Sequence, residues 1–436
     1  MGTKGSSRQL TRREFLRLGG GGVLALLAGG LTSTRVLGAP RSGPALGRPA
    51  TEPATNLPAP PPVYIRLAAT DGFIRLPGRT RPLYMFGFIQ VPFDAPVSAL
   101  DIYKGNVQAP APIIGVDEGA DVYLTLTNLG LRVRPDLDDS HTIHWHGFPN
   151  ATAIFDGVPE VSISVPVGRD FPYFFRPRRA GTFMYHCHFE DVEHVQMGMT
   201  GIVFVRPAQN QGVESRNIPP GKYAYNDGVP PNDPRSTAYD REFALLLNEI
   251  WTRAHDNLEA IQENIWPDYK PDYWVINGRA YPDTVRPNND PELPNQPISS
   301  LIQVNPGDRV LLRFANLGYE QHAMQLTGIR MRVVGEDASL LRGPGGADLS
   351  YWTNTVYIGP GEARDVLFIA PPFDPDGPVY EDGVGQYNRY FLKNRNYYAQ
   401  TNGGLPGLGG MITEVRVYAG SPLPPQTVPN ETYTSV

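Results

Sequence analysis

The sequence predicts an all-β protein made of two similar domains in tandem. Glycine (46) and proline (45) supply about a fifth of the 436 residues, whereas charged residues make up 19%. Such a composition favours short strands joined by tight turns over helices. Residues 114–130 also align without gaps with residues 302–318, and eight of the seventeen positions are identical. This duplication indicates two related β domains, each closing as a sandwich or barrel.

Local patterns place individual strands and boundaries along the chain. Polar and apolar residues alternate over 122–127, and residues 201–205 form a near-continuous apolar run; both patterns predict strands. Polar, proline-rich stretches separate the two copies and precede the first. We therefore expect a signal peptide (1–39), a proline-rich linker (40–62), a first domain (63–207), a connection (208–240), a second domain (241–420) and a C-terminal tail (421–436).

The N-terminus predicts export. Arg12 and Arg13 precede an apolar, glycine-rich run over residues 16–31, and residues 36–39 offer small side chains for cleavage. The pattern resembles a twin-arginine signal, so we expect a periplasmic or extracellular protein. The run is shorter than the roughly 20 apolar residues of a membrane helix, so stable membrane insertion is not expected. The net charge of −6 provides no basic field, and a nucleic-acid partner is not expected either.

Soft and imidazole ligands are concentrated in the first domain. Cys187 is the only cysteine, so no intrachain disulfide can form, and six of the eight histidines lie between residues 141 and 199. A site that shuttles one electron needs a thiolate, two imidazoles and a weak axial ligand, which is a copper signature. Cys187, His194 and Met199 offer three of these on one loop between two strands, and His141 is the best-placed fourth. A buried cysteine beside structural histidines is the alternative that this arrangement disfavours.

The motifs then resemble those of a known family. His141-x-x-His144-x-His146-Gly147 and His186-Cys187-His188, followed by His194 and Met199, resemble the copper motifs of the laccase-like multicopper oxidases. The resemblance covers roughly residues 63–420 and includes the flanking segments 156–159, 176–185, 275–278, 316–318 and 358–367. It implies two tandem cupredoxin-like domains with a Greek-key β-sandwich or barrel fold.

The resemblance also implies roles for the ligands. It implies a type 1 copper bound by His141, Cys187, His194 and Met199, and a second copper site, of type 2 or type 3, bound by His144, His146, His186 and His188. Alternate residues of a strand share a face, so His186 and His188 would point away from Cys187. Electrons would enter through an exposed edge of His194 and pass through Cys187 to the second site. Asp156 would assist proton delivery, although a simple turn role before Gly157 fits equally well.

The second domain departs from the family pattern. His322 stands at the position of His141, but Gln325 and Thr327 replace His144 and His146. Counting twelve residues back from Met411 places Tyr398, Ala399 and Gln400 where His186, Cys187 and His188 stand, and Pro406 replaces His194. A family trinuclear cluster takes eight histidines, four from each of two domains. The sequence therefore predicts a second domain that has lost its metal chemistry.

Three functions stay open on the sequence. The chain is a copper oxidoreductase with a smaller mono- or dinuclear second site, completed or not by His322 of a neighbouring copy. Alternatively it is an electron-transfer or copper-storage cupredoxin with type 1 copper only, or an enzyme resembling the copper nitrite reductases. In each case we expect a small-molecule or protein electron donor and, by analogy with two-domain relatives, a homotrimer.

Two further segments carry weaker expectations. The acidic run 190–193 lies inside the type 1 loop and either steers a basic electron donor or is a solvated loop. His255 is expected to be an exposed loop residue.

Overall fold

The structure, a computed structural model, describes residues 59–149 and 151–435. The first copy contains strands β1 (Val63–Ile74), β2 (Leu83–Gln90), β3 (Ile114–Asp117), β4 (Val122–Asn128), β5 (His144–His146), β6 (Asp170–Phe175), β7 (Gly181–His186) and β8 (Thr200–Arg206), with helix α1 (Asp191–Met197). The second contains β9 (Arg241–Ile250), β10 (Tyr273–Ile276), β11 (Ile302–Val304), β12 (Arg309–Asn316), β13 (His322–Leu326), β14 (Met331–Glu336), β15 (Ser339–Leu340), β16 (Tyr351–Thr353), β17 (Thr355–Ile358), β18 (Ala363–Ile369), β19 (Val379–Glu381), β20 (Gln386–Asn394) and β21 (Ile412–Tyr418), with helix α2 (Thr252–Glu259).

The strand order repeats between the two copies. The first copy has sheets ordered β2-β1-β4-β6 and β3-β8-β7-β5. The second has β10-β9-β12-β18, extended by β14, β15 and β16, and β11-β21-β20-β13, extended by β17 and β19. The parallel pairs correspond as well, since β1 with β4 matches β9 with β12, and β3 with β8 matches β11 with β21. The all-β fold of two tandem cupredoxin-like domains is confirmed, and the domain limits given above stay predictions.

Each copy has its own apolar core, and the first core encloses the candidate ligands. Cys187 and Met199 are fully buried in the first core, among side chains that include Trp145 and Tyr185. Each large apolar side chain contributes about 1.5–3 kcal/mol to the free energy of folding when it is fully buried, so this packing holds the side chains around the Cys187 thiol in place. Met411 and Ala399 lie in the second core.

A buried ion network joins the sheets of the two copies. The guanidinium of Arg313, on β12, donates to Glu242 Oε2 at 3.1 Å and to Asp365 Oδ1 at 3.3 Å. It also donates to the hydroxyl of Thr182 on β7 of the first copy. Because all four side chains are buried, the contact holds the two copies in one arrangement.

The N-terminal predictions fall largely outside the described residues. The expected signal peptide 1–39 and linker residues 40–58 lie there, and β1 begins at Val63. Within the described ranges, no helix has the length and apolarity needed to cross a membrane.

Candidate metal centre

The backbone brings three of the four predicted type 1 ligands around one point. β7 ends at His186, so Cys187 begins the connection to β8, and α1 in that connection carries His194. The Nδ1 atoms of His141 and His194 lie 3.9 Å and 3.3 Å from Cys187 Sγ. All three side chains are 0% exposed. The ligand atoms of the three residues lie within 4.8 Å of one another.

Met199 is tied to the same group through the backbone. Its carbonyl accepts from the amide of Cys187 at 3.1 Å, and its amide donates to the carbonyl of His194 at 3.0 Å. The methionine is also 0% exposed. The predicted loop between β7 and β8 therefore includes a short helix. Its acidic first turn (Asp191, Glu193) and the left-handed Gly198 that follows its last residue both favour a helix here.

These donors fit one copper ion. Bonds of about 2.0 Å to nitrogen and 2.3 Å to sulfur, arranged at 120°, place nitrogen and sulfur about 3.7 Å apart, near the two distances found here. The outer Nε2 atoms of His141 and His194 have no hydrogen-bond partner among the described residues. The amide of Thr142 also points at Sγ, at 3.5 Å, a contact that would tune a metal–thiolate bond.

Burial and charge set the protonation of the two imidazoles. Burial, aided by the nearby His194, lowers the pKa of His141 well below its ordinary value, so this ring is neutral and able to bind a metal. Burial also acts to lower the pKa of His194, but the charges of Cys187 and Asp139 outweigh it and raise the pKa to about 10. A cation in the pocket would take the place of that proton.

The outer edge of His194 is covered, contrary to the expectation of an exposed ligand edge. Its Nε2 lies 3.8 Å from Asp139 Oδ2, too far for a hydrogen bond, and Glu190 belongs to the same group of ligand atoms. The acidic run 190–193 lies over this edge: Glu190 and Asp191 are exposed at the start of α1, and Glu193 is half-buried. Access to His194 from outside therefore passes carboxylates.

The four remaining histidines gather on the other side of the sheet. β5 and β7 pair antiparallel with His144 opposite His186. The ring of His144 lies 5.7 Å from His146, 5.2 Å from His186 and 5.0 Å from His188, measured between centroids. The ligand atoms of His144, His146 and His186 fall within 4.8 Å of one another, whereas His188 lies at the edge, 31% exposed, with Asp191 at 4.0 Å.

Hydrogen bonds orient these rings toward a common point. Nδ1 of His144 donates to the carbonyl of Asp156 at 2.7 Å, and Nδ1 of His186 donates to the carbonyl of Cys187 at 2.7 Å. Each ring thus keeps Nε2 as a ligand, and Nε2 of His186 lies 3.3 Å from Nδ1 of His146. Burial lowers the pKa values of His144 and His146 and lowers that of His186 to about 3, so all three are neutral near pH 7.

Asp156 lies against this cluster. Its backbone carbonyl makes the closer contact, and its carboxylate Oδ1 lies 3.6 Å from Nδ1 of His144. Gly157 permits the approach, because a Cβ there would lie 2.1 Å from the carbonyl oxygen of Ile143 and its φ is +77°. The structure thus places Asp156 where it orients His144, and its role in proton delivery stays a prediction.

The second copy touches the histidine cluster at a residue that the sequence did not single out. A Cβ on Gly361, in the loop before β18, would lie 3.2 Å from Cε1 and Nε2 of His146. The φ of Gly361 is +75°, a conformation that suits glycine. The sequence did show that segment 358–367 resembles the family. It could not show that this segment lies near His146, because that contact depends on how the two copies pack.

The second copy retains the outline of the lost site. The strand register corrects the equivalence expected from counting: Lys393 pairs with Gln325 and Ile412 as His186 pairs with His144 and Thr200, so Asn394 and not Ala399 stands where Cys187 stands. The amide of Asn394 donates to the carbonyl of Met411 at 3.0 Å, as that of Cys187 does to Met199, and Ala399, which accepts from the amide of Met411 at 2.9 Å, takes the place of His194. Counting was wrong because the connection after this strand is longer in the second copy. His322 is 1% exposed; its Nδ1 accepts from Asn394 at 2.9 Å and its Nε2 contacts the carboxylate of Glu249. Because its ring is enclosed by its own domain, His322 is not placed to serve a neighbour's copper site.

His255 differs from its expected exposed position. It lies on α2, is 0% exposed, and its Nδ1 donates to the carbonyl of Tyr84 on β2 at 2.6 Å. The prediction was wrong because the polar residues around His255 suggested a loop, whereas the helix buries one side against the first copy.

Comparisons with known proteins agree with the copper motifs. A family model described as multicopper oxidase matches residues 96–210, and another with the same description matches residues 241–376. Laccase-3 of Oryza sativa subsp. japonica is 26% identical over 285 residues, covering 63% of this chain and 42% of that protein. Laccase-1 of Cryptococcus neoformans is 26% identical over 284 residues, covering 61% of this chain and 38% of that protein. The chain spans about two fifths of the length of these curated relatives.

Solved structures match over more of both chains. The blue copper oxidase of Nitrosomonas europaea superposes with a TM-score of 0.58 at 25% identity, covering 82% of this chain and 86% of that one. The multicopper oxidase mgLAC gives a TM-score of 0.58 at 25% identity, covering 84% and 88%. A copper nitrite reductase from Nitrosomonas europaea gives 0.50 at 20% identity, with 82% and 95% covered, which shows a shared fold.

Proposed function

Because the chain belongs to the multicopper oxidase family, we propose that it is an exported copper oxidoreductase in which Cys187 connects an electron-accepting site to a histidine site. Family membership implies copper as the cofactor, including type 1 copper. The observation that carries the proposal is the position of Cys187: its sulfur faces His141 and His194, and its sequence neighbours His186 and His188 face the other cluster.

The two clusters would hold the metal. His141, Cys187, His194 and Met199 would hold a type 1 copper, and His144, His146 and His186, with His188 at the edge, would hold the second site. When bound, copper supplies one-electron chemistry by cycling between its two oxidation states. The donor types match, since one cluster contains a thiolate and the other imidazole alone.

The path between the clusters runs through a single residue. From Sγ it follows the side chain and backbone of Cys187 to the adjoining histidines. The hydrogen bond from Nδ1 of His186 to the carbonyl of Cys187, at 2.7 Å, provides a second connection within the same two residues. Packing at 0% exposure keeps water away from the sulfur end.

The surface near His194 bears on the electron donor. Asp139 and Glu190 stand at the outer edge of this ring, and Asp191 is exposed beside them. A neutral or cationic donor, either a small molecule or a basic protein, meets no repulsion there, whereas an anionic donor does.

The second site is smaller than the eight-histidine cluster of the family. Outside residues 141–199 the chain contains only His255 and His322, and both are buried in contacts of their own. We propose a mono- or dinuclear site on the first domain, next to which the carboxylate of Asp156 delivers protons. Three clustered imidazoles also suit nitrite as acceptor, which makes a nitrite-reductase-like activity the second candidate.

Export and assembly are parts of the same proposal. The paired Arg12 and Arg13 before an apolar run support twin-arginine export to the periplasm or beyond. A homotrimer is proposed by analogy with two-domain relatives. Cell fractionation with Arg12→Lys and Arg13→Lys together tests the first, and light scattering tests the second.

Copper counting with a matched serine variant tests the function. Copper-loaded protein should show an intense visible thiolate-to-copper band that Cys187→Ser abolishes, while copper at the histidine cluster remains. Oxygen uptake or nitrite consumption with a phenolic donor should fall with the band. One copper per chain and no turnover with either acceptor would favour the carrier alternative, and a band that persists in Cys187→Ser would refute the type 1 site.

A further inference from the structure

Helix α1 carries His194 but is too short to fix its own position. It has seven residues, Asp191–Met197, and its N-cap residue Glu190 makes no side-chain capping hydrogen bond. Isolated helices of this length are not stable in water, so tertiary contacts must decide where His194 lies.

Two such contacts come from the second domain, one on each side of His194. The amide nitrogen of Gln196 donates to the carbonyl of Glu249 at 2.8 Å, and its amide oxygen accepts from the backbone of Trp251 at 2.7 Å. The hydroxyl of Tyr319 donates to the carbonyl of Val192. The attached residues stand two before and two after His194, so both halves of the helix are held.

The anchors are themselves fixed at the site that the second domain has lost. The carboxylate of Glu249 accepts from the amide of Tyr319 at 2.7 Å and contacts Nε2 of His322. Glu249 is 1% exposed, and a Cβ on Gly318 would lie 2.2 Å from its carboxylate, so the group is tightly enclosed. His322 stands at the position equivalent to His141.

We propose that Gln196 and Tyr319 are positioning residues that hold His194 in place for copper. In this view the copperless second domain uses its remnant site, His322 with Glu249, as a rigid support for a ligand of the first domain. The inference rests on the proposed type 1 site at Cys187.

The test compares two variants with two matched controls in the copper-loaded full chain. Gln196→Met removes both amide hydrogen bonds at similar size, and Tyr319→Phe removes one hydroxyl. The controls are Gln209→Met, whose buried amide bonds Asp227 and Gly228, and Tyr418→Phe, whose hydroxyl bonds Asp382. Both control sites lie outside the contacts of α1.

All four variants should lower the unfolding midpoint, because each loses buried hydrogen bonds. Only Gln196→Met and Tyr319→Phe should shift the visible band and the reduction potential and weaken copper binding at Cys187, by about tenfold to a hundredfold. If these two variants resemble the controls in band, potential and affinity, the positioning role is refuted while the copper site stands. If the wild type shows no thiolate band, the proposed function fails and this inference fails with it.

Discussion

Replacing Gly361 with alanine probes the contact between the second domain and the histidine cluster. The new Cβ would lie 3.2 Å from Cε1 and Nε2 of His146, closer than ordinary contact. The ring or the loop must therefore move by about a few tenths of an ångström. A shift of that size takes up most of the roughly 0.5 Å within which metal ligands must be held, so copper affinity at the cluster should fall about tenfold.

Gly307→Ala is the matched control, because it separates backbone strain from the contact. Both glycines have left-handed φ, +75° at 361 and +82° at 307, so alanine costs about 1–2 kcal/mol of stability at either position. Among the described residues, no heavy atom outside its chain neighbours lies within 4 Å of a Cβ at Gly307. Both variants should therefore unfold at similarly lower denaturant concentrations.

The assay is copper titration of each variant, followed by paramagnetic resonance of the histidine site and by the visible band of the Cys187 site. Gly361→Ala should weaken the first and leave the second unchanged, since Cys187 lies on the opposite face. Equal copper binding by the two alanine variants would refute the reasoning that Gly361 sets the position of His146.

Three further outcomes are expected. Burial lowers the pKa of His255 from 6.5 to about 4, so below pH 6.5 the unfolded chain takes up a proton that the folded chain does not. Stability that is present above pH 6.5 is therefore lost as the pH falls toward 4, by about 2 kcal/mol between pH 7 and pH 5. Denaturant unfolding of His255→Gln should show a correspondingly weaker pH dependence. Arg313→Met should cost about 3–5 kcal/mol in the same assay, because the buried carboxylate of Asp365 loses the guanidinium that it contacts and Glu242 keeps only that of Arg206. Arg309→Met, at a half-exposed pair, should cost less than about 1 kcal/mol. Equal losses would contradict the buried network. Chelating copper should lower the unfolding temperature of the wild-type protein. If free copper starts 1,000-fold above the dissociation constant, its removal costs about 4 kcal/mol of stability, and the loss should be much smaller in Cys187→Ser. An unchanged unfolding temperature on chelation would contradict a copper site in the folded state.

Much of the fold could be predicted because the signals for it are local or repeated. The alternation over residues 122–127 corresponds to β4, and the aligned segments 114–130 and 302–318 occupy equivalent strand pairs. The opposed directions of Cys187 and its flanking histidines follow from strand geometry, which depends only on sequence neighbours. The division of these side chains between two faces could therefore be predicted from their order along the chain, whereas their roles as ligands come from the family resemblance.

The misplaced residues all depend on packing between distant segments. His194 was expected to have an exposed edge, but Asp139 and the start of α1 cover it. His255 is buried because α2 crosses to the first domain, and Gly361 meets His146 only through the packing of two domains. None of these contacts produces a regular pattern in the sequence. Most of them join segments that are far apart along the chain, and the cover over His194 also depends on a short helix whose own sequence favours it only weakly.

Anomalous diffraction at the copper edge, from crystals of the copper-loaded wild-type protein, tests the central claim most directly. We expect one peak among Cys187 Sγ and the Nδ1 atoms of His141 and His194, and at least one more among His144, His146 and His186. No peak is expected at His322. Copper beside His322, or a Cys187 pocket without a peak in fully loaded crystals, would contradict the account.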